Sequence, residues 1–256
     1  MALIRRTIAE LRPDAIGLQE IIVRHEGFDQ AAAILDGLGY EWAFGAAWRW
    51  SDAQGGPLGP DHPNADAFGN VIAARWPLAD VAVEPLPGAE TGERRSIIGA
   101  LVDTPEGRLP FASTHLNWKL DHGWVRERQV LAVARFVRDL AGEAPALPPI
   151  VVGDMNAEPD ATEMRYLAGL TSLAGQSVYF QDAWRLGGDG GPGHTWDNRN
   201  TYAALSSEPT RRIDYVWVGH PREGRGVVEH ARVVLDESVD GVFPSDHFGV
   251  IADVRT

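Results

Sequence analysis

The stretch PPIVVGDMN, residues 148–156, indicates how this chain folds. Its apolar run has the length of a short strand and no polar position, which is typical of a strand buried on both faces. The run then turns polar at Asp154 and Asn156, which lie two positions apart and so share one face of an extended chain. An ordinary Asx turn before a helix produces the same pattern. This stretch alone therefore does not distinguish a structural turn from a functional site.

Further short strands and a few helices are predicted along the rest of the chain. The helical spacing of apolar residues predicts helices at 2–12, 125–142 and 160–170. Apolar or alternating runs predict strands at 14–21, 40–45, 70–75, 80–86, 95–104, 108–116, 211–219 and 247–256. Many strands with few helices between them predict an α/β sandwich of two mostly antiparallel sheets packed face to face, with the helices outside.

Length and composition favour a single domain over residues 1–256. A chain of 256 residues that is 44% hydrophobic can bury a large core, and no stretch resembles a linker. No apolar run approaches the roughly 20 residues that a membrane span needs, and the first residues lack the features of a secretory signal. We therefore expect a cytoplasmic protein without a membrane span. Nothing in the sequence predicts its oligomeric state.

The charge and the absence of cysteine narrow the possible chemistry. The formal net charge is −13 and Lys119 is the only lysine, which counts against an extended contact with a nucleic-acid backbone, because such contacts neutralise many phosphates. Without cysteine, any metal ligand must be an oxygen or an imidazole nitrogen. A small anionic substrate at a local positive site remains compatible with this composition.

Two long segments without strand or helix patterns stand out, residues 48–69 and 186–210. Loops of this length in a compact domain are often binding loops or lids. A surface insertion is the alternative for each of them.

Chemically capable side chains lie at the ends of several predicted strands, on five separate elements. They are Glu20, His115, Asp154, Asn156, Asp214, Asp246 and His247. One such residue would usually be structural, but their recurrence on different strands predicts a shared site at one edge of the sheets. Within such a site a carboxylate such as Asp154 can orient a nucleophilic water, and an amide such as Asn156 can donate to a phosphoryl oxygen.

Two of the acids have competing interpretations. Glu20 is either a surface acid or helix cap, or a hard oxygen ligand of the kind that Mg²⁺ prefers. Asp214 lies opposite the apolar face of its strand and needs a cationic or donating partner. His247 would be fixed in one tautomer by Asp214, with its other ring nitrogen free for proton transfer. A salt bridge from Asp214 to Arg211 or Arg212 is the structural alternative.

The remaining candidates are basic. His115 is either a core histidine with satisfied hydrogen bonds or a donor to charge that develops on a phosphoryl oxygen. Arg94 and Arg95 precede the strand at 95–104 and are either a solvated pair or a phosphate contact.

The motifs of this chain, taken in order, resemble those of the endonuclease/exonuclease/phosphatase superfamily, which is also called DNase I-like. The resemblance runs from about residue 13 to the C-terminus. It rests on GLQE (17–20), GN (69–70), RWP (75–77), STHL (113–116), GDMNAEP (153–159), RRIDYV (211–216) and PSDHFGV (244–250). It implies a four-layered α/β sandwich and hydrolysis of phosphoester bonds with Mg²⁺ or Mn²⁺.

The resemblance also implies roles for individual residues. Glu20 corresponds to the principal metal ligand, with Asp246 as a neighbouring metal or water ligand. Asp154 would orient or activate the attacking water, and Asn156 would hold the phosphate. His247 would be the base or phosphate-stabilising histidine oriented by Asp214. The second phosphate-contacting histidine would be His115, and the predicted substrate contacts are Asn70, Arg94 and Arg95.

In one respect the chain departs from the family pattern. Members usually begin with a strand that carries an Asn, lies centrally in one sheet and helps to bind the metal, whereas this sequence starts at the helix that follows it. We expect either a chain shorter than the natural protein or a variant without that strand, with one metal ligand fewer.

These patterns predict a divalent-metal-dependent phosphoesterase that cleaves a phosphodiester or phosphomonoester with an activated water, and a small phosphoester is favoured as the substrate. An endonuclease acting on DNA or RNA is the second hypothesis. A catalytically weakened binding protein that uses the same cleft is the third.

Overall fold

The computed structural model describes residues 1–24, 27–49, 67–143 and 145–256. Most of the predicted loop at 48–69, namely 50–66, lies outside the described residues. The helices are α1 (Ala2–Leu11), α2 (Gln30–Leu35), α3 (Gly123–Ala141), α4 (Thr162–Leu167) and α5 (Ala183–Gly187). The strands are β1 (Ala15–Arg24), β2 (Phe28–Asp29), β3 (Glu41–Arg49), β4 (Ala67–Ala74), β5 (Leu78–Pro85), β6 (Ser96–Thr104), β7 (Gly107–His115), β8 (Ile150–Asp154), β9 (Phe180–Asp182), β10 (Asp214–Gly219), β11 (Val228–Val234) and β12 (Gly249–Val254).

Two large sheets organise the described residues. One has the strand order β2-β1-β4-β3, and the other has the order β5-β6-β7-β8-β10-β9. The pairings in both sheets are antiparallel apart from β7 with β8, which are parallel and are connected through α3. A parallel pair needs a long crossover of this kind. β11 and β12 form a separate antiparallel pair.

The two sheets pack face to face, with helices on the outer surfaces. Apolar side chains of β4, including Ile72, meet those of β6 and β7, including Ile98 and Phe111. At one contact the sheets approach so closely that a Cβ on Gly17 would lie 2.2 Å from Cγ2 of Val152. The predicted α/β fold of two mostly antiparallel sheets is therefore confirmed.

The helices cover the sheets through their apolar faces. Along α3 the buried residues recur at helical spacing, as in Val130, Val133 and Val137, and they pack on the six-stranded sheet. On the other side, α1 and α2 pack on β1 and β4 through residues that include Ile8 and Ile34. The layers thus follow in the order helix, sheet, sheet, helix.

A groove of about 870 Å³ separates β1 from β12. In the described residues, β1 pairs with β2 only at Val23 and Arg24. The strand partner of β12 is β11. Apolar side chains line the groove, among them Ile8, Ile16 and Val250. One end of the groove is lined by Asp214 and His247, so it opens beside the polar strand ends.

Two element boundaries differ by two residues from the sequence prediction. The last strand begins at Gly249 rather than at His247, and α3 begins at Gly123. The predicted strands did not include β2, β9 or β11, which are short or weakly patterned. No helix within the described ranges is both long enough and apolar enough to cross a bilayer.

Candidate active site

Three neighbouring strands place acid and imidazole groups in one row. His115 is the last residue of β7, Asp154 the last of β8, and Asp214 the first of β10. The parallel register pairs His115 with Asp154, and the antiparallel register pairs Asp214 with Asp154. Because adjacent strands lie about 4.8 Å apart, these side chains meet at one edge of the six-stranded sheet.

Asp154 lies at the centre of this row and is buried. Its Oδ2 is 3.2 Å from Nε2 of His115 and 3.8 Å from Nε2 of His247. Its Oδ1 accepts a 2.8 Å hydrogen bond from the backbone N–H of Asn156. Burial alone raises the pKa of Asp154, but the interactions with His115 and His247 and the Asn156 hydrogen bond outweigh it and lower the pKa to about 2. The carboxylate is therefore ionised at neutral pH.

Asn156 owes its position to an unusual backbone conformation. Its φ is 51°, in the left-handed region that Asn tolerates better than most residues. The side-chain Nδ2 donates to Leu116 O and to Asp154 Oδ2, at 3.2 Å in each case. The amide is thereby fixed beside the Asp154 carboxylate.

His247 and Asp214 form a hydrogen-bonded pair, with Nδ1 2.9 Å from Oδ2. Burial lowers the pKa of His247, but Asp214, Asp154 and Asp246 together raise it to about 10. Burial also raises the pKa of Asp214, and His247 counteracts this in part. The Trp196 ring contacts the imidazole edge-on, with 4.8 Å between centroids. His247 is thus an imidazolium between two carboxylates at neutral pH.

The alternative partners of Asp214 are occupied elsewhere. Arg212 forms a buried ion pair with Asp182, at 2.7 Å between Nη2 and Oδ2, and Arg211 is paired with Glu208. The pairing of Asp214 with His247, which the sequence left open, is the one observed.

A buried arginine, Arg95, contacts the ring of His115. Arg95 donates from Nη1 to Nδ1 of His115 over 2.9 Å, and from Nε to Oε1 of Glu93 over 2.8 Å. Both side chains of this ion pair are at most 10% exposed. Arg95 therefore lies on the Nδ1 side of His115, whereas Asp154 lies on the Nε2 side. A direct substrate contact by Arg95 stays a prediction.

Glu20 reaches the site through an irregularity in β1. The pairing of β1 with β4 shifts between Leu18 and Ile21, and Glu20 itself has a φ of 59°. Its side chain is 59% exposed, and Oε1 lies 3.9 Å from Nδ1 of His115. A bulge of this kind redirects a side chain out of the regular alternation, here toward the row of strand ends.

The donors in this region fit a hard divalent cation. Asp154, Asp214 and His247 each offer a ligand atom, and the three atoms lie within 4.8 Å of one another. Two of them, however, are already joined by the His247 to Asp214 hydrogen bond. Within the described part of the chain the nearest ionisable partner of the Glu20 carboxylate is His115, at 3.9 Å, so its oxygens are available, and Mg²⁺ prefers such ligands.

The other predicted site residues are less central. Asp246 is partly buried and accepts a 3.0 Å hydrogen bond from Ser245 Oγ. Asn70 is buried and donates to Ser96 O over 2.9 Å, which links β4 to β6. Arg94 is exposed. The roles of these residues as metal or substrate contacts stay predictions.

Sequence reasoning missed the residues that support the site from the segment 186–210. Thr195 Oγ1 accepts from the backbone N–H groups of Ile213 and Asp214, at 3.1 Å each. Asn200 is fully buried and donates to Ser245 O and Asp246 O. Neither residue belongs to a strand pattern, so only their polarity within a long loop could have signalled them.

A two-sheet α/β sandwich whose strand ends gather carboxylates and imidazoles defines the class of domain, and comparison with known proteins specifies its family. The model of the Endonuclease/Exonuclease/phosphatase family matches residues 1–247. The chain belongs to this family, as its motifs indicated.

Individual relatives are distant. Nocturnin of Rattus norvegicus is 27% identical over 265 residues, which cover 98% of this chain and 57% of the relative. Tyrosyl-DNA phosphodiesterase 2 of Xenopus laevis is 28% identical over 181 residues, 68% of this chain and 45% of the relative. The chain thus spans about half the length of these curated relatives.

Solved structures share the fold. An endonuclease/exonuclease/phosphatase from Beutenbergia cavernae superposes with a TM-score of 0.72 at 26% identity, over 99% of this chain and 65% of that chain. The human Nocturnin catalytic domain with bound sulfate gives a TM-score of 0.68 at 24% identity, over 98% of this chain and 85% of that chain. The four-layered architecture is therefore that of the family.

Proposed function

We propose that this chain is a divalent-metal-dependent phosphoesterase that hydrolyses its substrate with an activated water. The observation that carries the proposal is the position of the ionised Asp154 carboxylate, which lies within 3.2 Å of one imidazole and 3.8 Å of another. A carboxylate in this position accepts a hydrogen bond from water, while imidazole N–H groups donate to an anionic phosphoryl group. Family membership supports the same reaction class.

Each residue has a separate task in this proposal. Asp154 orients the attacking water and accepts its proton as the new bond to phosphorus forms. His247, held as an imidazolium by Asp214, stabilises the negative charge that develops on the phosphoryl or leaving oxygen. Of the two roles that the sequence allowed for His247, this geometry favours charge stabilisation over proton abstraction. Asn156 and His115 supply further donors.

Glu20 and Asp246 are the residues that we propose to hold Mg²⁺ or Mn²⁺, since both are carboxylates at the rim of the row. When bound, the ion would act as a Lewis acid on the phosphoryl oxygen and would lower the pKa of water.

We propose a small phosphoester as the substrate. The net charge of −13 is unfavourable for the counterion release that drives binding to a nucleic-acid backbone. The second candidate is a phosphodiester in nucleic acid, because one relative is named a tyrosyl-DNA phosphodiesterase. The single-domain organisation over residues 1–256 and the cytoplasmic location remain predictions.

Hydrolysis assays test the proposal directly. Purified protein is incubated with bis-p-nitrophenyl phosphate, p-nitrophenyl phosphate and supercoiled plasmid, with and without Mn²⁺. His247→Ala and Asp154→Ala are compared with wild type, and His230→Ala, which replaces an exposed histidine of β11, is the matched control. We expect metal-dependent turnover that falls by about 10²-fold or more in the two site variants and stays unchanged in the control.

The outcomes separate the hypotheses. Plasmid nicking with a steep salt dependence supports the nuclease candidate over the small phosphoester. Folded site variants that keep full turnover contradict the assigned residues. No turnover with any substrate, together with no stabilisation by Mg²⁺ or Mn²⁺, supports the third candidate, a binding protein that uses the same cleft.

A further inference from the structure

The ion pair of Arg95 with Glu93 is buried next to the site, and Arg95 makes a further contact, to His115. Arg95 Nε and Nη2 both point to Oε1 of Glu93, whereas Nη1 points to Nδ1 of His115 at 2.9 Å. The second oxygen of Glu93, Oε2, is buried and accepts no hydrogen bond within the described part of the chain.

Because Arg95 can only donate in its contact with His115, the contact determines which ring nitrogen of His115 carries the proton. A guanidinium has only donors and does not lose its proton in proteins. Nδ1 of His115 must therefore accept, because a proton on Nδ1 would face the Nη1 hydrogen across 2.9 Å. The ring proton then lies on Nε2, which faces Oδ2 of Asp154 at 3.2 Å. Both ring nitrogens have suitable partners in this tautomer, and Oε1 of Glu20, the carboxylate near Nδ1, lies farther away than Arg95, at 3.9 Å.

We propose that Arg95, oriented by Glu93, is a positioning residue that holds His115 with Nδ1 as hydrogen-bond acceptor and the ring proton on Nε2. His115 is thereby a hydrogen-bond donor at the site and does not act as a base. This inference rests on the proposed phosphoesterase function for its consequence, although the tautomer itself does not depend on that function.

The two imidazoles at Asp154 consequently differ in kind. Nδ1 of His247 donates to Asp214, whereas Nδ1 of His115 accepts from Arg95. In both rings Nε2 lies toward Oδ2 of Asp154. A phosphoryl group bound there would meet an Nε2–H from each ring.

Nitrogen NMR of the histidine rings tests the tautomer without any substrate. In ¹⁵N-labelled metal-free wild type we expect His115 to show an unprotonated Nδ1 and a protonated Nε2, with the resonance assigned by its loss in His115→Gln. In Glu93→Gln/Arg95→Met, which removes both charges together, we expect averaging between tautomers. Arg95→Lys keeps a donor and is expected to retain the wild-type pattern.

A second buried pair provides the matched control. Arg126 donates from Nε to Oε1 of Glu163 at 2.7 Å, with both side chains at most 7% exposed. The variant Glu163→Gln/Arg126→Met removes the same two charges from a pair in which the Arg126 side chain bonds to Glu163, Asn117 O and Lys119 O rather than to a histidine ring. We expect its His115 spectrum to match wild type.

Kinetics then measure the consequence for turnover. Loss of a hydrogen bond that positions a site residue typically lowers activity about 10- to 100-fold. We expect kcat to fall by that factor in Glu93→Gln/Arg95→Met, with a much smaller change in KM and substantial recovery in Arg95→Lys.

A wild-type His115 with a proton on Nδ1, or a tautomer unchanged in Glu93→Gln/Arg95→Met, overturns the positioning role. Equal losses of kcat in both double variants also overturn it, because general destabilisation would then explain them. A wild type without phosphoesterase activity that nevertheless has the expected NMR pattern would refute the proposed function and leave the Arg95 assignment standing.

Discussion

His247 and Asp214 are 33 residues apart in the chain and are joined by a hydrogen bond of 2.9 Å between Nδ1 and Oδ2. The bond keeps the His247 ring next to Asp154, whose Oδ2 is 3.8 Å from Nε2. Asp214 itself is held at the start of β10 by the hydrogen bond from its backbone N–H to Thr195 Oγ1. The position of His247 therefore depends on three separate elements.

Asp214→Asn removes the charge that holds the His247 proton. We expect the pKa of His247 to fall from about 10 toward its ordinary 6.5, as followed by NMR titration of the metal-free protein. Turnover should fall between about 10-fold and 10⁴-fold, the range seen when an orienting carboxylate is neutralised. Asp253→Asn, at an exposed position of β12, is the control. An unchanged His247 pKa in Asp214→Asn would contradict this role.

The stability of the metal-free protein should depend on pH through His247. Its pKa is raised in the folded state from 6.5 to about 10, so the folded protein binds this proton more tightly than the unfolded chain. Its contribution is fully present below pH 6.5 and is lost as the pH rises through about 10. We expect the difference in urea unfolding free energy between wild type and His247→Asn to shrink across that window. A constant difference would be inconsistent with the raised pKa.

Glu20→Gln tests the metal assignment with a substitution of nearly the same shape. At a concentration 100 times Kd, a bound ion stabilises the folded state by about 2.7 kcal/mol, or about 5 to 10 °C in Tm for a domain of this size. We expect Mg²⁺ or Mn²⁺ to raise the Tm of wild type and of Glu237→Gln, which alters an exposed acid, and to have little effect on Glu20→Gln. Equal shifts in all three proteins would exclude Glu20 as a ligand.

Gly153→Ala should disturb both the fold and the site. Gly153 has a φ of 151°, and an added Cβ would lie 1.9 Å from the backbone oxygen of Thr114, which cannot move aside as a side chain can. Overpacking costs about 1 to 3 kcal/mol and an unfavourable φ about 1 to 2 kcal/mol, so we expect a loss of about 2 to 5 kcal/mol in urea unfolding.

Gly142→Ala separates the two contributions to that loss. Gly142 also has a positive φ, 67°, but a Cβ there would meet nothing within 4 Å. We expect this control to lose only the φ contribution, about 1 to 2 kcal/mol. A similar loss in both variants would show that the contact with Thr114 is unimportant.

Much of the fold could be predicted from local sequence patterns, because apolar periodicity reports which side of a segment is buried. The apolar run before Asp154 predicted β8, and the helical spacing through Val130 and Val137 predicted α3. The same reasoning failed for β2, with two residues, and β9, with three. Strands that short carry no period of their own and form only because a neighbouring strand offers hydrogen bonds.

By itself the sequence determined which strands end in reactive side chains and which family they resemble, since both depend on residues close together in the chain. The tertiary structure decided which of those residues meet. Asp214 pairs with His247 because Arg211 and Arg212 bond to Glu208 and Asp182. Arg95 contacts His115, 20 residues away, because β6 and β7 lie side by side. Such contacts follow from strand order and register, which long-range packing sets and no local pattern encodes.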